Sequence, residues 1–159
     1  MKELIGEMEE YASLKNVPII EKKSIAFIMK YIKDHNVKSV LEIGSAIGYS
    51  AILMASAKED TIVTTIERDE ERYMECLKNV KKCGLEKKIN VVFQDALEVS
   101  KNVAKNTFRL FKTFSPFDIN SLYNYHMFSA EFPYIFSIPV FQACLYNYPT
   151  ANLFPYRRV

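Results

Sequence analysis

At residues 38–57 the chain reads KSVLEIGSAIGYSAILMASA, and its local pattern changes twice within this stretch. Residues 39–43 form a short β-rich run that stops at Gly44, which favours a strand followed by a turn. From Gly48 to residue 57 the pattern is helical. A strand that passes through a glycine turn into a helix is the repeating unit of a parallel α/β sheet.

The same alternation continues after this stretch, which two predicted helices precede. Residues 61–66, TIVTTI, form a β-branched run typical of a strand covered on both faces. Strands that alternate with helices pair in parallel through right-handed crossovers, so we predict an α/β doubly wound sheet. The predicted elements are helices at 2–15, 21–34, 48–57, 69–83 and 96–105, and strands at 39–43, 61–66 and 89–93. The helix at 21–34 is expected to bury Ile25, Phe27, Ile28, Met29 and Ile32.

The composition fits one globular domain. The chain has 159 residues, of which 49% are hydrophobic and 25% charged, and its net charge of +2 argues against a strongly basic nucleic-acid footprint. Three cysteines, an odd number at spacings unlike a zinc site, predict reduced thiols in a cytoplasmic protein. No basic segment followed by an apolar run opens the sequence, so no secretory signal is expected.

The turn after the first predicted strand offers a ligand site. Dinucleotide folds place three glycines there, whereas this turn has two, Gly44 and Gly48, with Glu42 inside the end of the strand. A ligand that carries an ammonium and a carboxylate suits this pattern, because the turn amides face the carboxylate and Glu42 lies near the cation. S-adenosylmethionine (SAM) matches that description, and a purely structural turn is the alternative.

Acidic residues also end the next two predicted strands. Glu67 can accept both hydroxyls of a ribose, and Asp95 can accept the amino group of adenine. The alternatives are a solvated glutamate that caps a helix and an aspartate that serves only as an N-cap. Three acids at the ends of three consecutive strands together favour the ligand site.

These motifs resemble a known family. The segments VPIIEKKSIAFIMKYI (17–32), KSVLEIGSAIGYSAILMA (38–55), TIVTTIERDEERYMECLKNVKKCGLEKKI (61–89) and VVFQDALEV (91–99) resemble the bacterial branch of the caffeoyl-CoA and catechol O-methyltransferases, class I SAM-dependent enzymes. That branch includes a tRNA 5-hydroxyuridine methyltransferase. The resemblance implies a Rossmann-like class I methyltransferase fold, a parallel sheet with flanking helices, and transfer of a methyl group to a hydroxyl of a catechol-like aromatic or of 5-hydroxyuridine in tRNA.

The resemblance also implies cofactor-binding residues. Those lining the methionine part would be Glu42, Gly44 and Ser45, with Ser50 on its carboxylate. The ribose would be bound by Glu67, the adenine by Asp95 with Ala96, and the cofactor would be bordered on its N-terminal side by Ile20. The resemblance does not assign a catalytic residue in this sequence.

The family's metal segments are not recognisable in this chain. In family members a strand after the third helix ends in an Asp-Ala pair, and a later strand is followed by an Asp-Asn pair. These pairs hold a divalent metal, usually Mg²⁺, and the sequence after residue 105 offers no such ligands. The fold is therefore expected to be incomplete. The alternative to an active enzyme is a truncated or frameshifted non-catalytic remnant that at most binds SAM, and a homodimer is a further expectation from the family.

Composition changes abruptly near residue 105. Residues 106–159 hold fifteen of the 21 aromatic residues, five of the six prolines and only two acids, Asp118 and Glu131. We therefore predict a SAM-binding domain at 1–105, with leading helices at 1–36, and an atypical aromatic tail at 106–159 that forms no separate domain. Residues 132–156 are uncharged, but their four prolines argue against a membrane span. A third hypothesis is a binding module that uses the aromatic tail on a membrane or a partner.

Overall fold

A computed structural model describes residues 1–95 and the backbone of two later strands. The helices and strands in chain order are α1 (Lys2–Leu14), α2 (Lys22–Asp34), β1 (Ser39–Ile43), α3 (Tyr49–Ala57), β2 (Ile62–Glu67), α4 (Glu70–Lys82), β3 (Ile89–Phe93), β4 (Leu110–Thr113) and β5 (Ile135–Ser137). The seven elements predicted up to residue 93 are confirmed, each within one residue at either end. The predicted helix at 96–105 and the rest of the tail lie outside the described residues.

The helix ends follow from their local sequence. Asp69 caps α4, since its side chain accepts a hydrogen bond of 2.9 Å from the Arg72 amide. Gly84, with φ of 66°, follows the last residue of the same helix in the left-handed conformation that suits a helix end. Asn16 and Asn36 close α1 and α2 with φ of 52° and 51°, because asparagine tolerates this region better than most residues.

Among the described residues the sheet contains five parallel strands, in the order β3-β2-β1-β4-β5. β1 lies at its centre, with Glu42 opposite Thr65 of β2 and Val40 opposite Leu110 of β4. The predicted α/β class with a parallel sheet and flanking helices is confirmed. The prediction of three strands was incomplete, because the tail adds β4 and β5. These strands have only four and three residues, too few for a periodic pattern, and their pairing with neighbours defines them.

The main core lies between the sheet and the helices α2, α3 and α4. In α2 the buried residues Ile25, Ile28 and Ile32 recur at helical spacing and pack into this core. The expectation that Phe27 is buried was wrong: its side chain is 48% exposed, because position 27 lies far from this stripe around the helix. Side chains that are completely buried around the centre of the core are Ile28, Ile32, Val40, Ala51, Ile52, Met54, Ala55, Val63 and Cys76.

Candidate functional site

The site is built around a tight turn at residues 44–48, which we call the glycine turn. Three of its residues, Gly44, Ala46 and Gly48, have positive φ angles of 84°, 46° and 85°. Glycine adopts this region without steric cost, whereas an alanine there costs about 1 kcal/mol. The amides of Gly44 and Ser45 both donate to the Ile66 carbonyl, at 2.8 and 3.2 Å. The turn between β1 and α3 is therefore fastened to the end of β2.

Glu67, the last residue of β2, holds the glycine turn from the other side. Its Oε2 accepts a 2.8 Å hydrogen bond from the Ala46 amide, and its Oε1 accepts from the amides of Arg68 and Asp69 at 3.0 Å each. The residue is only 7% exposed. Glu67 is therefore no solvated helix cap, since it is buried and Asp69 caps α4 instead.

Glu42, near the end of β1, is completely buried beneath the turn. Its Oε1 accepts a hydrogen bond from the Ser50 hydroxyl at 2.5 Å, and its Oε2 accepts one from the Thr65 hydroxyl at 2.7 Å. Glu42 is opposite Thr65 in the register, and Glu67 lies two residues further along the same face of β2. Two buried carboxylates thus occupy one face of two adjacent strands at their carboxyl ends.

The beginning of α3 offers donors next to these carboxylates. Gly48 is the N-cap of α3, and no side chain caps this helix end. The Ser45 hydroxyl is buried and has no oxygen or nitrogen partner within residues 1–95. Its neighbour is the Cys76 thiol, which is a weak hydrogen-bonding group, so a polar ligand can still satisfy both this hydroxyl and the uncapped helix start.

Helix α4 supports the glycine turn through residues that the sequence reasoning missed. The Asn79 amide donates a 3.0 Å hydrogen bond to the Ile47 carbonyl, and Asn79 is buried. Cys76 packs against Gly48 so closely that a Cβ atom on Gly48 would lie 2.8 Å from the Cys76 sulfur. The detectable signal was the spacing of Cys76, Asn79 and Val80, three uncharged residues on one face of a helix rich in charged residues.

The same environment suppresses ionisation of the Cys76 thiol. Burial raises the pKa of Cys76 to about 12, and the negative charges of Glu42 and Glu67 add to this effect, whereas the neighbouring Ser45 hydroxyl acts in the opposite direction. Cys76 and Cys83 are both free, and the third cysteine, Cys144, lies outside the described residues. Cys76 is therefore a packing residue and not a nucleophile at neutral pH.

Asp95 marks the carboxyl end of β3. It follows Gln94, whose amide donates a 3.0 Å hydrogen bond to the Glu67 carbonyl, so the ends of β2 and β3 remain side by side. The Asp95 side chain is 43% exposed, and its Oδ2 lies 3.7 Å from Nη1 of Arg68. Its neighbour Ala96, also predicted to contact adenine, lies outside the described residues.

Ile20 and the leading helices reach the other side of the glycine turn. Ile20, 8% exposed, belongs to the main core. Beside the turn, the Tyr49 hydroxyl donates a 2.8 Å hydrogen bond to Glu9 of α1, and Glu9 also pairs with Lys22 of α2 at 2.7 Å. The structure thus brings together Glu42, Gly44, Ser45, Ser50 and Glu67, with Asp95 next to them and Ile20 in the adjoining core.

Two kinds of feature do not occur in the part of the chain that the structure describes. Within residues 1–95 no three histidine, cysteine, aspartate or glutamate side chains cluster as a metal site would require. In the same residues, no helix combines the length and the apolar character needed to cross a bilayer.

The parallel sheet with its flanking helices and the glycine turn between β1 and α3 define a Rossmann-like α/β fold. Comparison with known families makes the assignment more specific, because residues 1–133 match the O-methyltransferase family. The chain belongs to that family. The match extends beyond the motifs quoted from the sequence, into the segment that contains β4.

Individual relatives agree with this assignment. The flavonoid 3',5'-methyltransferase of Vitis vinifera is 34% identical over 100 residues, which cover 62% of this chain and 41% of the relative. Against three curated relatives the chain spans from 41% to 51% of their length.

Solved structures show the same fold. A Staphylococcus aureus structure, provisionally described as a caffeoyl-CoA O-methyltransferase, superposes with a TM-score of 0.75 at 26% identity, covering 97% of this chain and 73% of the other. The Bacillus cereus O-methyltransferase, solved with S-adenosylhomocysteine (SAH), has a TM-score of 0.68 at 19% identity, with 77% and 59% covered.

Proposed function

We propose that this chain binds SAM at the carboxyl ends of β1, β2 and β3 and serves methyl transfer to a hydroxyl group. The observation that carries the proposal is the pair of buried carboxylates, Glu42 and Glu67, beside one glycine turn. Buried acids in a concave strand-end position are frequent at ligand sites. Membership of the O-methyltransferase family and the SAH bound by the Bacillus cereus protein support the same cofactor.

The methionine end of the cofactor fits the glycine turn. The amides at the uncapped start of α3 suit a carboxylate, because an anion is favoured at the positive end of a helix. The buried Ser45 hydroxyl, which has no oxygen or nitrogen partner within residues 1–95, supplies a further donor. In this proposal Glu42, Gly44 and Ser45 line the methionine, and Ser50 exchanges its bond to Glu42 for one to the ligand carboxylate.

Glu67 can bind the ribose, but its carboxylate can accept only a limited number of additional hydrogen bonds. A carboxylate has about four acceptor positions, and Glu67 already uses three of them for the amides of Ala46, Arg68 and Asp69. One ribose hydroxyl can therefore be accepted at Oε2 while these bonds persist, and a second requires that one amide be released. The adenine amino group is assigned to Asp95, with Ala96 beside the ring and Ile20 at the border of the site.

The chemistry follows from positioning. SAM supplies a methyl group on a positively charged sulfur, which an oxygen nucleophile attacks in line. The residues named here orient this group and exclude water from it, and orientation alone can lower such a barrier by several kcal/mol. We propose a catechol-like aromatic or 5-hydroxyuridine in tRNA as the acceptor, with Mg²⁺ as the family's cofactor, in a cytoplasmic homodimer whose SAM-binding domain spans 1–105.

Calorimetric titration with SAH tests the cofactor site. We expect Asp95→Ala and Glu67→Ala each to weaken binding about ten-fold or more, because a hydrogen bond to a charged acceptor contributes roughly 1.5–3 kcal/mol. Glu71→Gln is the matched control, since Glu71 is an exposed acid in the first turn of α4. Wild-type protein that binds no SAH at millimolar concentration, or variants that bind as tightly as the control, would contradict the proposal.

The second candidate is a protein that binds SAM without turnover. It is favoured by the sequence after residue 105, in which the family's Asp-Asn pair is not recognisable. Magnesium-dependent methylation of a catechol or of RNA that contains 5-hydroxyuridine separates the two functions. Cofactor binding without turnover of either acceptor would support the second candidate.

A further inference from the structure

The ends of β2 and β3 carry an ion pair next to the proposed adenine position. Arg68 directly follows Glu67, and the hydrogen bond from the Gln94 amide to the Glu67 carbonyl places Asp95 beside it. Nη1 of Arg68 lies 3.7 Å from Oδ2 of Asp95. The arginine side chain is 78% exposed and the aspartate 43% exposed, so the pair lies at the rim of the site.

This contact involves the acceptor that adenine requires. The guanidinium group has only donors, as does the amino group of adenine, and both are directed at the Asp95 carboxylate. We propose that Arg68 is a specificity-determining residue whose positive charge competes with the adenine amino group for Asp95, so that the carboxylate exchanges part of its interaction with Arg68 for the hydrogen bond from the cofactor. This inference rests on the proposed function, which places adenine at Asp95.

The exchange is energetically accessible because the pair is exposed. Exposed ion pairs are weak and are screened by salt, so the competition changes affinity by a factor of about two to five at low ionic strength. A hypoxanthine base carries an oxygen where adenine carries its amino group. At that position such a base presents an acceptor in place of the amino donor, so removal of the arginine brings no gain in a hydrogen bond from this group to Asp95.

Titration of SAH and of S-inosylhomocysteine into Arg68→Met and wild-type protein tests the exchange. In 50 mM NaCl we expect Arg68→Met to bind SAH about two- to five-fold more tightly than wild type, with the difference lost in 500 mM NaCl. Affinity for S-inosylhomocysteine should not increase. Arg68→Lys keeps a positive charge at the same position and should bind SAH nearly as wild type does.

Arg72→Met is the matched control. Arg72 lies four residues further along the chain, in the first turn of α4, and makes no ion pair in the described part of the chain. The inference is overturned if Arg68→Met binds SAH no more tightly than Arg72→Met, or if both ligands gain equally. If wild type binds SAH but one of these two results is obtained, the proposed function stands and only the role of Arg68 is rejected. If neither wild type nor any variant binds SAH, the proposed function and the role of Arg68 are both rejected. Binding of SAH by Arg68→Met but not by wild type would support the competition.

Discussion

At the scale of single residues, the glycine turn depends on close approach as well as on backbone freedom. Gly48 has a φ of 85° and faces the Cys76 sulfur, where a Cβ atom would be only 2.8 Å away. Gly84 has a similar φ of 66°, but a Cβ atom there would meet nothing within 4 Å, and Gly6 lies within α1 with open space around it. Substitution of these three glycines by alanine therefore distinguishes the cost of backbone strain from the cost of steric overlap.

We expect Gly48→Ala to lower the free energy of unfolding by about 2–4 kcal/mol, through the left-handed backbone and an overpacked contact. Gly84→Ala should cost about 1 kcal/mol through the backbone alone, and Gly6→Ala should gain about 0.5–1 kcal/mol within its helix. Urea denaturation measures each value. Cys76→Ala introduced with Gly48→Ala should recover part of the loss, and a purely additive double variant would show that the sulfur contact is unimportant.

The acids illustrate what a sequence reveals about single residues. Their positions at strand ends were predictable from the alternating pattern, but their partners were not. Glu67 binds the Ala46 amide 21 residues away, and Glu42 binds Thr65 23 residues away. Such contacts depend on the register between β1 and β2, which no local pattern specifies.

At the scale of elements, the leading helices are tied to the site by one polar network. Tyr49 of α3 donates to Glu9 of α1, and Lys22 of α2 pairs with the same carboxylate. Burial first, and then the hydrogen bond to Glu9, raises the pKa of Tyr49 to about 12. The hydrogen bonds from Lys22 and Tyr49 lower the pKa of Glu9. The network thus joins three helices next to the glycine turn.

We expect Tyr49→Phe to destabilise the protein by about 1–2 kcal/mol at pH 7, because a buried donor to a carboxylate is lost. The folded protein holds the Tyr49 proton more tightly than the unfolded chain, so wild-type stability contributed by this group falls between pH 10 and pH 12. The difference between wild type and Tyr49→Phe should therefore narrow over that range. Denaturation at several pH values measures it.

Tyr73→Phe is the control for this experiment, since the Tyr73 hydroxyl makes no hydrogen bond within residues 1–95 and its ring packs 5.1 Å from that of Phe93. Its difference from wild type should be small. A Tyr49→Phe difference that stays constant up to pH 12 would contradict the role given to this hydroxyl.

The elements that sequence reasoning missed share a physical cause. β4 and β5 are too short to show periodicity, and they lie in a segment dominated by aromatic residues. The contacts between α4 and the glycine turn were missed because Cys76 and Asn79 pack against residues that precede them in the chain by about 30 positions. In both cases the missed feature, a pairing of strands or a contact of a helix, depends on residues that are close in space but distant in the chain.

At the scale of the whole molecule, the proposed ligand-binding groups come from three parallel strands and from the glycine turn, which joins β1 to α3. A ligand that bridges β1, β2 and β3 binds the folded chain and has no site in the unfolded one. It must therefore stabilise the molecule in proportion to the logarithm of its concentration once the site is saturated.

SAH at about 100 times its dissociation constant should raise the free energy of unfolding by about 2.7 kcal/mol. For a domain of this size that corresponds to an increase in Tm of roughly 5–10 °C. Thermal unfolding at a series of SAH concentrations measures the shift. Glu67→Ala should show a much smaller shift at the same concentrations, and a Tm that does not depend on SAH concentration in wild type would contradict binding at this site.

The sequence by itself determined the α/β class, the bounds of seven elements and the positions of the acids, because periodicity, glycines and caps act over a few residues. Only the tertiary structure decided which groups meet: Glu67 with Ala46, Glu42 with Ser50 and Thr65, and α4 with the glycine turn. It also added β4 and β5 to the sheet. These contacts join residues far apart in the chain, and they form only when parallel strands fix their register and bring their carboxyl ends to one edge.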